Sequence, residues 1–280
     1  MLTSLDFGGA GPELHFANAN GYPAAAYRRL LRALTACGHV QAMVPRPLWA
    51  GSRPEGTRTW APLVDDLVQY LDERGARGWI GVGHSLGAVV SAAAALRRPE
   101  LFRALVLIDP VFLPPVVLAV FGLFQKLGLA GRVHPLARGA RRRRRTFDSA
   151  QAMFDRYRRV PVFGRLDDEA LRDYVAAALR PGPGRRLELA YSPEWEARIY
   201  ETGPLNLWGA LHRLRPPVLV VRGAESDTFH PIAVRALRRR LPNAVVREVT
   251  GAGHLVPLEK PDETARLIRE FLAGVTMNAA

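Results

Sequence analysis

The 280-residue chain carries 48% hydrophobic and 23% charged residues, which excludes a disordered or collagen-like polymer and supplies enough apolar side chain for a sizeable core. Its single cysteine, Cys37, excludes an intramolecular disulfide and a thiolate zinc cage. The formal net charge of +13 would suit a polyanionic partner, but 37 of the 39 basic residues are arginine in a chain also rich in Ala, Gly, Pro and Leu, so we attribute much of it to coding composition and expect no nucleic-acid partner.

No basic segment followed by an apolar one opens the chain, since Asp6 and Glu13 interrupt it. This predicts no secretory signal and a cytoplasmic location. Apolar runs of strand length then alternate with helix-period segments. Leu14–Ala17 reads as a short strand and Pro23–Ala36 as a helix with Tyr27, Leu30, Leu31 and Leu34 on one face. A strand at Val40–Val44, a Pro/Gly/Arg loop and a helix at Trp60–Arg74 follow. Next come a strand at Trp79–Gly83, an alanine-rich helix at Leu86–Leu96 and a strand at Ala104–Ile108. The carboxyl-terminal part adds strands at Val218–Val221 and Ala244–Val249 and helices at Pro231–Arg240 and Pro261–Leu272. β-Branched runs without polar alternation suit strands covered on both faces, so the expected class is α/β with a mostly parallel sheet flanked by helices.

Residues Val111 to His212 break this rhythm and hold 17 basic and 10 acidic residues, including Arg141–Arg145 in succession. About a hundred residues exceed any ordinary strand-to-helix loop, which predicts an inserted, mainly helical unit folding on its own, with a core made of 1–110 and 213–280. Val111–Phe124 is apolar but broken by Pro114 and Pro115 and shorter than the roughly 20 residues a membrane span needs, so no transmembrane segment is expected; it reads as a buried or lid-like helix, with peripheral membrane contact as the alternative. The arginine run reads first as a solvated helix face, with recognition of an acidic group as the alternative.

Gly83-His84-Ser85-Leu86-Gly87 fits G-x-S-x-G directly between an apolar strand and a helix. A serine on so sharp a turn needs glycine two positions either side, where a side chain would meet backbone. The helix that follows aims its amides at the site, so the Leu86 N–H is a candidate donor to a developing oxyanion. His84 reads as a packed neighbour. His15, His39, His134, His212 and His230 show no metal-ligand spacing, and neither a metal nor a cofactor is expected.

With that motif in place, nearly the whole chain outside the insert resembles the α/β-hydrolase superfamily, in its serine esterase, lipase and aminopeptidase-like branch. The resemblance implies a triad in the order nucleophile, acid, histidine. Gly251-Ala252-Gly253-His254, leading to a proline-started helix, resembles the histidine loop and makes His254 the base. Gly223-Ala224-Glu225-Ser226-Asp227 resembles the acid loop and makes Asp227 the acid, with Glu225 and Asp109 as alternatives. Asp109 otherwise reads as a turn into the insert. The second oxyanion donor is expected after the first strand, where Asn20-Gly21 stands in place of the superfamily's His-Gly and makes Tyr22 N–H the donor. Only about a dozen residues precede Leu14, so the sheet is expected to be shortened at its amino-terminal edge. The insert falls where this superfamily places a cap, with Phe112, Phe121, Phe124, Trp195 and Trp208 as candidate pocket residues. The implied activity is a serine hydrolase cleaving a carboxylic ester of a small-molecule acyl substrate. Amidase, lactonase, C–C hydrolase or acyltransferase chemistry is reachable with the same groups. A non-catalytic binding protein is the reading from another class, and the oligomeric state stays open.

Overall fold

The unalternated apolar runs become the centre of a seven-stranded sheet in the computed structural model, which describes residues 2–277. In chain order the elements begin with β1 (Ser4–Gly8), β2 (Glu13–Ala17), α1 (Arg28–Leu34), β3 (His39–Met43), α2 (Ala61–Asp72), β4 (Trp79–His84), α3 (Leu86–Arg97) and β5 (Phe102–Ile108). The insert contributes α4 (Pro115–Lys126), α5 (Ala130–Val133), α6 (Pro135–Arg141), β6 (Thr146–Phe147), α7 (Ala150–Tyr157), α8 (Asp168–Ala178), β7 (Leu179–Pro181), β8 (Leu187–Leu189) and α9 (Pro193–Thr202). The chain then returns through β9 (Val218–Gly223), α10 (Pro231–Arg240), β10 (Val245–Val249), α11 (Val256–Glu259) and α12 (Pro261–Met277).

The strand order is β1-β3-β2-β4-β5-β9-β10, parallel throughout except for β1, which runs antiparallel to β3 at the edge. The sequence reading overlooked β1 because its five residues, Ser-Leu-Asp-Phe-Gly, carry no apolar run. Every residue of β4 and β9 is buried, as two-sided cover by helices requires. One apolar layer joins Leu14, Phe16, Ile80, Val82 and Val106 to α1 and α12. The other joins Leu105, Leu107 and Val220 to α2, α3 and α10. Alanine dominates α3, and ten of its twelve residues are buried, because the central helix lies close against the sheet.

The insert is helical with a three-stranded sheet, β6-β8-β7, that the sequence reading did not foresee. Apart from a small cluster of Ala137, Ala140 and Ala197, its larger buried apolar side chains extend the two layers of the core. Phe147, Met153, Tyr157, Leu171 and Tyr174 continue the α1/α12 layer, while Trp195, Ile199 and Trp208 continue the α2/α3 layer. Among the candidate pocket residues, Phe112 and Trp208 are buried against each other and Trp195 is also buried, which places them in packing.

The arginine run lies mostly beyond the helix, and all of it but Arg143 stays exposed, as the solvated reading expected. The helix ends at Arg141, and four of the five arginines reach carboxylates: Arg141 to Glu201, Arg143 to Glu196, Arg144 to Asp148 and Arg145 to Glu194. Three of those acids lie on α9, so the run staples the insert together. Arg143 also donates to the hydroxyls of Tyr157 and Tyr174 at 3.0 and 2.8 Å, and Glu196 is 8% exposed. Arg143→Ala would leave that carboxylate buried without its cation. We expect a loss of about 3–5 kcal/mol in urea unfolding, and a loss no larger than that of a surface arginine would refute the pairing as a structural element.

His15 on β2 is 1% exposed, and burial pushes its pKa down to about 3. Its Nε2 accepts the Met43 N–H at 3.3 Å, so the folded chain holds it neutral. Between its ordinary value near 6.5 and about 3, the unfolded chain binds a proton that the folded chain refuses. Stability is therefore complete above the upper limit and falls with pH below it, by roughly 1.4 kcal/mol per pH unit. Denaturation midpoints measured from about pH 7 to about pH 5 should drop, and His15→Gln should remove about one proton's share of that slope. An unchanged slope in the variant would contradict the assignment.

Candidate active site

Ser85 stands between the end of β4 and the start of α3 with φ at +57°, a left-handed value unusual for a non-glycine residue. Its N–H donates to the Ile108 carbonyl at 2.9 Å. The flanking glycines are required sterically: a Cβ on Gly83 would lie 2.4 Å from the Gly87 carbonyl oxygen, and one on Gly87 would lie 2.0 Å from that of Ala17. The tight turn leaves the first amides of α3, starting with Leu86, without carbonyl partners within the helix.

Parallel register then brings the remaining groups together. His84 pairs with Ile108 across β4 and β5, and Ile108 pairs with Val221 across β5 and β9. Asp109, the residue after β5, therefore emerges beside Ser85, with φ at +40° and its N–H donated to Val221 at 2.7 Å. Close backbone contact draws in the histidine loop, since a Cβ on Gly223 would lie 2.0 Å from the Gly253 carbonyl oxygen. The His254 Nε2 sits 3.0 Å from Ser85 Oγ, and its Nδ1 sits 2.7 Å from Asp109 Oδ2. A carboxylate only accepts, so Nδ1 carries the proton and Nε2 is free to accept from the serine hydroxyl.

Asp109 is wholly buried, yet both its oxygens are satisfied. Oδ2 also accepts from Ser226 Oγ at 2.5 Å, and Oδ1 accepts the Gly223 N–H at 3.2 Å. Asp227, the expected acid, is instead exposed and, among the described residues, accepts from the neighbouring Thr228 hydroxyl at 3.2 Å. Glu225 is likewise exposed and pairs with Arg165. The physical reason is the direction of the loop after β9, which turns Ser226 inward and Asp227 outward. Strand register, known only from the structure, places Asp109 at the site, because a residue one step past the neighbouring strand surfaces next to the nucleophile.

The Tyr22 amide, expected as an oxyanion donor, is spent on the Ala19 carbonyl at 3.2 Å, closing the turn at Gly21. Asn20 holds this loop to the insert: its Nδ2 donates to the Glu196 carbonyl at 3.0 Å, and its Oδ1 accepts from Tyr191 Oη at 2.9 Å. Asn18 shares the wall of a cavity of about 40 Å³ with Leu86 and Gly87, so this loop and the start of α3 face one space.

His84 does more than fill space. It is fully buried, and burial, with the His254 ring beside it, pushes its pKa well below the ordinary histidine value. As a neutral ring it donates from Nε2 to the His254 carbonyl at 2.9 Å and accepts at Nδ1 from Tyr27 Oη at 2.8 Å. The Tyr27 oxygen in turn lies 3.4 Å from the Ala19 N–H. One buried chain thus joins the loop after β2 to the backbone of His254. The sequence reading took Tyr27 as an apolar helix-face residue and Ser226 as a link in the acid loop, and missed both as partners because their bonds to His84 and Asp109 are long-range.

Comparison with known proteins agrees with this frame. The sequence model described as the alpha/beta hydrolase family matches residues 14–267. Strigolactone esterase D14 of Arabidopsis thaliana is 46% identical over 218 residues, covering 76% of this chain and 73% of that protein. The 2-(acetamidomethylene)succinate hydrolase of Mesorhizobium japonicum is 26% identical over 268 residues, covering 94% and 89%. A crystal structure of E-2-(acetamidomethylene)succinate hydrolase superposes with a TM-score of 0.80 at 23% identity, covering 97% of this chain and 95% of that one. With the family match spanning most of its length, this chain belongs to the alpha/beta hydrolase family.

Proposed function

We propose that the chain is a serine hydrolase that cleaves a carboxylic ester, or a related acyl bond, of a small molecule through an acyl-enzyme. The reading rests on one observation, the continuous relay from Ser85 Oγ to His254 Nε2 at 3.0 Å and from His254 Nδ1 to Asp109 Oδ2 at 2.7 Å. A serine hydroxyl at its free pKa is a poor nucleophile, and an imidazole within hydrogen-bond reach removes that barrier. In the proposed reaction His254 takes the hydroxyl proton as Ser85 attacks the carbonyl carbon. Asp109 stabilises the imidazolium, which then returns the proton to the leaving alcohol. Water, deprotonated by the same imidazole, releases the acid and restores the serine.

The Leu86 N–H, at the start of α3, is proposed as one oxyanion donor, and the second is assigned to the loop at Asn18, which lines the same cavity as Leu86. Residues 111–212 are proposed as a cap over this space. Supporting that assignment are the Asn20 bonds to Glu196 and Tyr191 and the Trp60 Nε1 donation to the Ile199 carbonyl at 2.9 Å. An ester substrate is also in keeping with the relative named as an esterase.

The test is a series of p-nitrophenyl esters of graded acyl length, run beside labelling with a fluorophosphonate probe. Turnover of part of the series together with covalent labelling at Ser85 is expected. Labelling without turnover of any ester would keep the nucleophile and move the substrate to an amide, lactone or C–C bond. Absence of both would overturn the hydrolase reading in favour of a binding protein.

A further inference from the structure

We propose that the insert docks this protein onto an anionic phospholipid bilayer through helix α4 and the arginine-lined cleft at its carboxyl end. A helix on a protein surface ordinarily turns its apolar stripe inward. In α4 none of the twelve residues is buried. Val116, Val120, Leu123 and, just past its end, Leu127 fall at the i, i+4, i+7, i+11 spacing of a single face. That face points outward, with exposures of 75, 51, 57 and 60%. The opposite side carries the attachment: Gln125 Nε2 donates to the Glu201 carbonyl at 3.1 Å and also to that of Thr202. A contiguous outward apolar stripe on a helix already anchored by its other face marks an interaction surface.

Charge identifies what covers it. From Val111 to Phe147 the sequence holds eight basic residues and no acidic one; four of them pair with carboxylates from elsewhere, and Lys126, Arg132, Arg138 and Arg142 have no carboxylate partner among the described residues. Beside the end of α4 opens a cleft of about 550 Å³ lined by Arg58, Arg132, Arg141, Arg198 and Glu201. Glu201 is shared by Arg141 and Arg198, and no carboxylate among the described residues pairs with Arg58 or Arg132. Apolar side chains in a row beside excess arginine match an acyl boundary lying under phosphate headgroups. A two-fold contact with a second copy through α4 would set the same arginines against each other, so like-charge repulsion opposes that occupant. An acidic protein would answer the charge but would need a groove shaped to a convex helix, whereas a bilayer takes α4 lying flat.

The experiment is flotation of the full chain with vesicles of phosphatidylcholine alone and with one quarter phosphatidylglycerol. We expect uptake by the mixed vesicles, little by the neutral ones, and loss of uptake as salt is raised. Val120→Ser with Leu123→Ser should weaken uptake about tenfold, and Arg58→Ser with Arg132→Ser should weaken it similarly while flattening the salt dependence. These side chains are exposed or line the open cleft, so thermal melting should be unchanged. Should a double variant melt early, the corresponding single variants with intact melts decide the question. Uptake insensitive to the serine changes on α4, or equal on both vesicles, would overturn the proposal. A thermal shift from inorganic phosphate without vesicle uptake would overturn it in favour of a small-anion site. Light scattering that shows a dimer dissolved by Val120→Ser and Leu123→Ser, again without vesicle uptake, would overturn it in favour of a second copy.

Discussion

Ser85→Ala should lose roughly 10⁵- to 10⁶-fold in kcat on whichever ester of the series the wild type turns over, and His254→Ala should lose nearly as much. The effects are expected to be non-additive. Once the hydroxyl is gone there is nothing for the imidazole to deprotonate, and without the imidazole the hydroxyl stays protonated at neutral pH. The double variant should therefore be no slower than Ser85→Ala alone. Ser85→Ala should also abolish fluorophosphonate labelling, and the removal of one oxygen from a serine that is 6% exposed should leave the melting temperature almost unchanged. An Ser85→Ala protein that kept wild-type turnover would refute the proposed nucleophile outright.

The second large effect separates the candidate acids. Asp109→Asn should lower kcat by about 10⁴-fold, whereas Asp227→Asn and Glu225→Gln should stay within about twofold of wild type. The reason lies in the hydrogen-bond pattern. Asp109 Oδ2 accepts from both His254 Nδ1 and Ser226 Oγ. An amide cannot accept at both its oxygen and its nitrogen, so either its NH2 meets the Gly223 N–H that Oδ1 accepts in the wild type, or an N–H faces Nδ1. In the latter case Nδ1 becomes the acceptor and the proton moves to Nε2, where it blocks attack. Asp227 is exposed and, among the described residues, its carboxylate accepts from Thr228, so its replacement reaches no reacting atom. The pH–rate profile gives an independent readout, since Asp109→Asn should recover part of its rate at high pH while Asp227→Asn should track the wild type. If Asp227→Asn proved the slower enzyme, the acid would have to come from the β9 loop after a rearrangement of that loop.

The parts of this site legible from sequence were those built by neighbours along the chain. Gly83, Ser85 and Gly87 declare a strand-to-helix turn because their constraint is steric and local, and the contacts of 2.4 and 2.0 Å that a Cβ would make bear that reasoning out. The buried strands were legible for a similar reason, as two-sided burial writes unbroken apolar runs such as Ala104–Ile108 and Val218–Val221. His254 was singled out because the glycines before it and the proline-started helix beyond resemble the superfamily's histidine loop.

The choice between Asp109 and Asp227 belonged to the fold. Both follow buried strands, and only the register of β4, β5 and β9, with the direction of one loop, decides which carboxylate meets the imidazole. The same holds for the Tyr22 amide, whose carbonyl partner is three residues back in a turn that composition does not specify. It holds for Arg141–Arg145 as well, a run whose ion pairs form only once α9 arrives with Glu194, Glu196 and Glu201. Helix α4 shows the limit most plainly. An apolar stripe at helical spacing has one appearance in sequence whether it faces a core or solvent, because periodicity records which residues share a face and says nothing about what lies opposite.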